Sequence, residues 1–219
     1  SGRTFRFTNV HWQLDQTDYR VPRDGGLYER RYEMSPACVR LLGGGRDLAV
    51  THCRFEHVYS ALFMKPPKKR MTIDGVLVAD NEIRHTDGDA IAISDGALWG
   101  HVERHGGRLG EVRIHRNRLH EIGHRPRRFS LGVGIDVANG SPVEIAGNIL
   151  SRCWGLGINM RGGKGNAAAW DVPFVRILCH HNKVVDPLLN MNDFGGIETW
   201  QGGPFYIYNN VVGNPGGYQ

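Results

Sequence analysis

Three short units of one pattern carry side chains able to do chemistry at equivalent places. The units GIDV (134–137), GINM (157–160) and GIET (196–199) each run small–apolar–variable–apolar, and their variable members are Asp136, Asn159 and Glu198. Two residues further on, the second and third units bring Arg161 and Trp200. Two carboxylates flanking a sugar linkage can act as general acid and general base, with a separation of roughly 6.5–9.5 Å leaving room for an attacking water. An amide between them can hold a sugar hydroxyl, and an indole offers a large apolar face for a pyranose ring. Asp136 and Glu198 are therefore the candidate catalytic pair. Asp193, in the turn before GIET, is a third candidate whose ordinary role would be turn formation.

A second constellation is HTDGDA (85–90), in which Asp87 and Asp89 flank a glycine. Two carboxylates at i and i+2 can contribute to a Ca²⁺ site, or they can shape a plain turn. Eleven histidines are scattered along the chain. His115, His120, His180 and His181 flank a repeated asparagine, away from the candidate pair. His124, in the long segment before Gly134, is a candidate substrate contact. Lys65 opens the basic run KPPKKR (65–70) and would attract an anionic chain.

These residues owe their spacing to a repeat. The pattern apolar–any–apolar–any–any–Asn–any–apolar recurs as VLVADNEI (76–83), VRIHRNRL (112–119), VEIAGNIL (143–150), ILCHHNKV (177–184) and FYIYNNVV (205–212). LAVTHCRF (48–55) fits with a cysteine in the Asn place, and FRFTNVHW (5–12) is a looser match. The repeated position is Cys53, Asn81, Asn117, Asn148, Asn182 and Asn210. Each is followed by a second unit: ALFM (61–64), AIAI (90–93), then the three above, with CVRL (38–41) before them. Period-two alternation over three to five residues makes a strand with one inward face. Such strands are too short to stand alone, but stacked turn on turn they share one core. An Asn at each bend is expected to adopt the left-handed conformation and bond its neighbours' backbone. No 3.6-residue apolar stripe is present, which argues against helical repeats and α/β units.

This repeat resembles that of the right-handed parallel β-helix superfamily, the pectate-lyase-like fold, over residues 37–219. The resemblance implies an all-β solenoid of about six coils forming a single domain over 1–219, with 1–36 an irregular or partial first coil. It also implies a carbohydrate-active protein, extracellular or periplasmic. The expected activity is a glycoside hydrolase that needs no cofactor. The alternatives are a lyase acting by β-elimination on a uronic-acid polymer, with Arg161 or Lys65 as the base and Ca²⁺ at Asp87 and Asp89, and a glycan-binding adhesin without turnover. The segments 65–75, 94–111, 120–133, 161–174 and 185–195 are expected to wall a groove over the outer face of the second units. Absence of a capping helix at either end reads as a segment of a longer protein.

Composition narrows the field. The 219 residues include 30 glycines, about twice the usual share, in keeping with many turns. A formal charge of +5 suits polyanionic partners, but no nucleic-acid-binding module accompanies it. No apolar run is long enough for a membrane-spanning helix. The four cysteines, Cys38, Cys53, Cys153 and Cys179, make no CxxC pair and read as small buried thiols.

Overall fold

The structure is a computed structural model describing residues 36–41, 43–65, 71–95, 107–124, 132–162, 176–191, 193–200 and 203–216. All but the last residue of the proposed partial coil at 1–36 and most of the groove-walling segments lie outside the described residues. Among the described residues every regular element is a strand.

The strands fall into three parallel sheets that the chain visits in strict rotation. The first sheet contains β1 (Val39–Leu41), β4 (Leu62–Met64), β7 (Ile91–Ser94), β11 (Ile135–Ala138), β14 (Ile158–Arg161) and β17 (Ile197–Trp200). The second contains β2 (Gly45–Thr51), β5 (Thr72–Ala79), β9 (Val112–His115), β12 (Val143–Ala146), β15 (Ile177–His180) and β18 (Phe205–Tyr208), with β8 (Arg108–Leu109) paired to the start of β5. The third contains β3 (Arg54–Val58), β6 (Glu82–Thr86), β10 (Arg118–Ile122), β13 (Ile149–Cys153), β16 (Lys183–Val185) and β19 (Val211–Gly213). Each strand inside a sheet pairs with its counterpart one turn earlier and one turn later, which is a solenoid-like arrangement. The second sheet and the start of the third carry the Asn repeat, and the first sheet carries the small–apolar–variable–apolar units.

Alternation along these strands builds one core from three sides. Leu62, Ile91, Ile135 and Ile158 of the first sheet meet Val76, Val112 and Val143 of the second and Ile83, Leu119 and Leu150 of the third, all buried. Burying one such side chain contributes about 1.5–3 kcal/mol. Cys153 and Cys179 sit in this core, and burial pushes both thiols up to about 12. Cys38 and Cys53 are only partly buried.

The small residue ahead of each first-sheet strand has a steric cause. A Cβ at Gly157 would lie 2.4 Å from Val184 Cγ1 and 2.6 Å from the Gly196 carbonyl oxygen. At Gly134 it would lie 2.5 Å from Leu150 Cδ2. Third-sheet side chains therefore press on this corner from inside, and only small residues stand there: Cys38, Ala61, Ala90, Gly134, Gly157 and Gly196.

The asparagines form a continuous ladder. Asn148 Oδ1 accepts from the Asn117 backbone N (2.9 Å) and from Asn117 Nδ2 (3.0 Å). Asn148 in turn donates from N and Nδ2 to Asn182 Oδ1, both at 3.0 Å, and from Nδ2 to the Ile114 carbonyl at 2.8 Å. The same scheme joins Asn81 to Asn117 and Asn182 to Asn210. Cys53 ends the ladder, its backbone N donating to Asn81 Oδ1 at 3.0 Å.

One expectation is corrected. The left-handed residue at each bend is not the asparagine but the one before it: His52, Asp80, Arg116, Gly147, His181 and Asn209, with φ between 53° and 67°. Turning the chain one residue earlier aims the Asn side chain into the stack, where Asn81, Asn117, Asn148 and Asn182 are all buried. A second left-handed file, His57, His85, Glu121, Arg152 and Asp186, kinks the third-sheet strands so that two successive residues face outward.

Asn148→Ala leaves two buried donors of Asn117 without an acceptor. Since each stranded polar group costs about 1–3 kcal/mol, the variant should lose about 3 kcal/mol in equilibrium urea unfolding. A loss below about 1 kcal/mol would mean that apolar packing alone sets the register.

Candidate functional site

The outer face of the first sheet puts the candidate residues in one file. Strand pairing aligns Arg40 with Phe63, Phe63 with Ala92, Ala92 with Asp136, Asp136 with Asn159, and Asn159 with Glu198. The neighbouring outward row aligns Ser94, Ala138, Arg161 and Trp200. Asp136 and Glu198, 62 positions apart in the sequence (198 − 136), thus stand two strand spacings from each other, about 9–10 Å between Cα atoms.

Asp136 is held from both sides. Its Oδ1 accepts from Asn159 Nδ2 at 2.9 Å, and its Oδ2 accepts from Arg161 Nη2 at 2.6 Å. A charge-assisted bond of this length is among the stronger side-chain contacts, and it fixes the carboxylate against the sheet. A carboxylate has about four acceptor positions, so two remain for water or ligand. Asn159 is 4% exposed, and its Oδ1 is buried with no hydrogen-bond partner. Buried carbonyl oxygens seldom go without a donor. The groups able to supply one are a ligand hydroxyl, a water, and a protonated carboxyl on Glu198 next door.

Among the described residues Glu198 has no cation paired with it in the way that Arg161 pairs with Asp136. Burial pushes its carboxyl above the usual range, the negative charge of Asp193 pushes it further, and a hydrogen bond from the Gly195 amide only partly offsets them. Gly195 is needed for that contact, because a Cβ there would lie 2.9 Å from Glu198 Oε2. The face therefore offers one carboxylate tied to a guanidinium and one carboxyl biased towards its protonated form.

The remaining candidates divide. Trp200 is beside Arg161 in the outward row, its ring 5.7 Å from that of Phe194, which makes an aromatic corner next to Glu198. Asp193 Oδ1 accepts from the Phe194 backbone N at 2.9 Å, a turn-forming contact, and it acts on Glu198 through charge. Lys65 directly follows Met64, which pairs with Ile93. It is only 9% exposed and lies two strand spacings from Asp136 and four from Glu198. Asp87 and Asp89 occupy the turn between β6 and β7, where Asp89 Oδ1 accepts from the Val133 backbone N at 2.8 Å. That bond fastens the approach to β11, and two carboxylates fall well short of the six to eight oxygens Ca²⁺ takes. Among the described residues no three metal-binding side chains converge.

His124 follows the third sheet rather than the first. Its Nε2 is 2.8 Å from Glu121 Oε2, and its ring is 5.1 Å from Trp154 and 6.1 Å from His85. His85 stacks on His57 at 4.8 Å. Burial and then the charge of His57 hold the His85 imidazole below its ordinary range. Sequence reasoning missed this cluster, although a signal existed: His57 precedes His85 by 28 residues, the spacing that separates Cys53 from Asn81. It also missed Arg161 as the partner of Asp136.

Comparison with protein-family models, with curated proteins and with solved structures finds no match to this chain.

The raised Glu198 carboxyl has a consequence for stability. Its protonated form is favoured by folding, so the wild type loses ground as pH rises through the folded-state value, which lies above the ordinary value of about 4.3. Glu198→Gln, which stays neutral, should therefore gain in thermal midpoint relative to wild type between about pH 4 and pH 7. A relative loss for the variant over that interval would mean that the fold stabilises the ionised carboxylate.

Proposed function

We propose that the chain is a right-handed parallel β-helix of the pectate-lyase-like kind, and that the outer face of its first sheet hydrolyses a glycan outside the cell or in the periplasm. One observation carries this reading. Asp136, Asn159 and Glu198 are in register on one face, with Asp136 bound to a cation and Glu198 biased towards its acid form.

In this reading Glu198 donates its proton to the glycosidic oxygen as the bond from that oxygen to the anomeric carbon breaks. Asp136 takes a proton from a water whose oxygen forms the new bond to that carbon from the opposite face. The products are two saturated sugars, the one carrying the new anomeric hydroxyl with inverted configuration, and the proton gained by Asp136 returns to Glu198 through solvent. Two strand spacings between the acids suit a water-accommodating, inverting geometry rather than the roughly 5–5.5 Å of a retaining pair. Asn159 Oδ1 accepts from a sugar hydroxyl, and Trp200 with Phe194 supplies the apolar surface for a ring.

A second reading is binding without turnover, and it too rests on an observation. Both oxygens of Asp136 already accept hydrogen bonds from the sheet, as they would in a carboxylate that only shapes a binding surface. The lyase alternative has less support, because Arg161, its nearest candidate base, is paired with Asp136.

A panel of polysaccharides incubated with wild type, Asp136→Asn and Glu198→Gln separates these readings. Hydrolysis should give saturated reducing ends, with each variant slower by about 10²–10⁴-fold. Unsaturated products absorbing in the ultraviolet would replace hydrolysis by elimination. Retention of a polysaccharide without cleavage would leave the binding reading.

A further inference from the structure

The outer face of the second sheet carries a separate constellation that the first-sheet reading does not use. Strand pairing aligns Leu77, Arg113, Glu144, Leu178 and Tyr206 in one outward file, and Ala79, His115, Ala146, His180 and Tyr208 in the next. Glu144 lies between two histidines, with His115 Nε2 3.1 Å from one carboxylate oxygen and His180 Nε2 3.1 Å from the other. Tyr208 stacks on His180 at 4.8 Å with an interplanar angle of 14°. Arg176 lies over the Tyr206 ring, its Cζ 5.7 Å from the centroid. Glu111, Arg113, Pro142, Glu144, Arg176 and Leu178 line a shallow depression between these groups.

Donor and acceptor inventories fix the direction of the hydrogen bonds. An ionised carboxylate only accepts, so His180 donates to Glu144 from Nε2, while His115 Nε2 lies at ion-pair distance from the other oxygen. His180 in its neutral form then has only the lone pair of Nδ1 left, and His181 Nδ1, 2.8 Å away, donates to it. The remaining lone pair, on His181 Nε2, faces the Asn209 amide nitrogen at 3.4 Å. The chain of donors ends on Glu144 and holds its carboxylate in place. Burial raises the Glu144 carboxyl, but the hydrogen bond from His180 and the charges of His115 and His180 outweigh it, so its net shift is downward. With one bond from His180 and His115 beside the other oxygen, acceptor positions remain on this carboxylate.

We propose that this face is a second glycan-binding site, which takes a neutral pyranose across Leu178 between Tyr206 and Glu144. Glu144 and Tyr206 are two strand spacings apart, about 9–10 Å, wide enough for one sugar ring to touch both. The apolar face of the ring covers Leu178 and meets the tyrosine. Two adjacent hydroxyls donate to the free lone pairs of Glu144, and the Arg176 guanidinium, anchored over Tyr206, donates to a third oxygen. A carboxylate with its orientation already fixed loses little freedom on binding, which favours a polar ligand on an open surface. The site shares no residue with the first sheet and stands whether or not that sheet turns a substrate over.

The test is calorimetric titration of the chain, in a Glu198→Gln background to suppress cleavage, with cellohexaose, xylohexaose, mannohexaose and laminarihexaose. At least one hexaose should bind, and both Tyr206→Ala and Glu144→Gln should weaken that binding by tenfold or more while Lys183→Ala, an exposed position on the third sheet, leaves it unchanged. If the first sheet also binds sugar, Trp200→Ala removes one of two sites and Tyr206→Ala the other. Failure of the first-sheet reading therefore shows as a single site that survives Trp200→Ala. Tyr206 is 47% exposed, so unfolding midpoints of its variant should match the parent. Absence of binding by every hexaose at millimolar concentration would overturn the proposal. So would binding indifferent to Tyr206 and Glu144, or self-association of the chain that Tyr206→Ala abolishes.

Discussion

Everything positioned on the outer faces depends on register, and the asparagine ladder sets it. Apolar packing alone leaves freedom to slip, because the inward residues of successive turns are nearly interchangeable: Ile91, Ile135, Ile158 and Ile197 would fit one another's places. A hydrogen-bonded chain through buried side chains does not slip in this way. From Asn117 onward each Asn Oδ1 accepts from both the backbone and the side chain of the asparagine one turn earlier. Moving one strand by a residue would break two bonds and bury unsatisfied groups, in addition to turning every side chain of that strand over.

Much of this was legible in the sequence because it depends on a periodic constraint. The asparagine positions, the strands around them and the small–apolar–variable–apolar units follow from two-residue alternation and from spacings near 30 residues. Since strands pair with their counterparts, the file Asp136, Asn159, Glu198 follows as well, without any side-chain geometry. The sequence reading failed where geometry depends on a single dihedral. A left-handed residue before Asn rather than at Asn has no strong signature, because His52, Asp80, Arg116 and His181 share no side-chain chemistry. The second left-handed file, through His57 and His85, was hidden for the same reason. It decides which residues of the third sheet face outward, and hence that the imidazoles stack.

Diagonal contacts were the other blind spot. Asp136 meets Arg161, and Glu144 meets both His115 and His180. Each pair lies one strand apart and two residues out of register. Reading a file straight down the stack finds like positions and misses these neighbours, although in a sheet the diagonal distance of roughly 7–8 Å is well within reach of Arg, Glu and His. The consequence is chemical. Arg161 looks like a free cation for an anionic polymer when its row is read alone, whereas in the folded chain it holds a carboxylate in place.

The two outer faces reach the same end by different means. On the first sheet a guanidinium and an amide orient Asp136, and on the second a pair of imidazoles orients Glu144. In both cases the orienting groups come from adjacent turns, so the geometry is a property of the stacking rather than of any one turn. This explains how segments of unequal length tolerate insertion without disturbing either face. Successive asparagines are 28 to 36 residues apart, yet every turn returns to the same rung, and the surplus residues are spent in the connections between strands. A solenoid of this kind separates the parts that fix distance from the parts free to vary, and its flat faces can then carry several independent sites along one short chain.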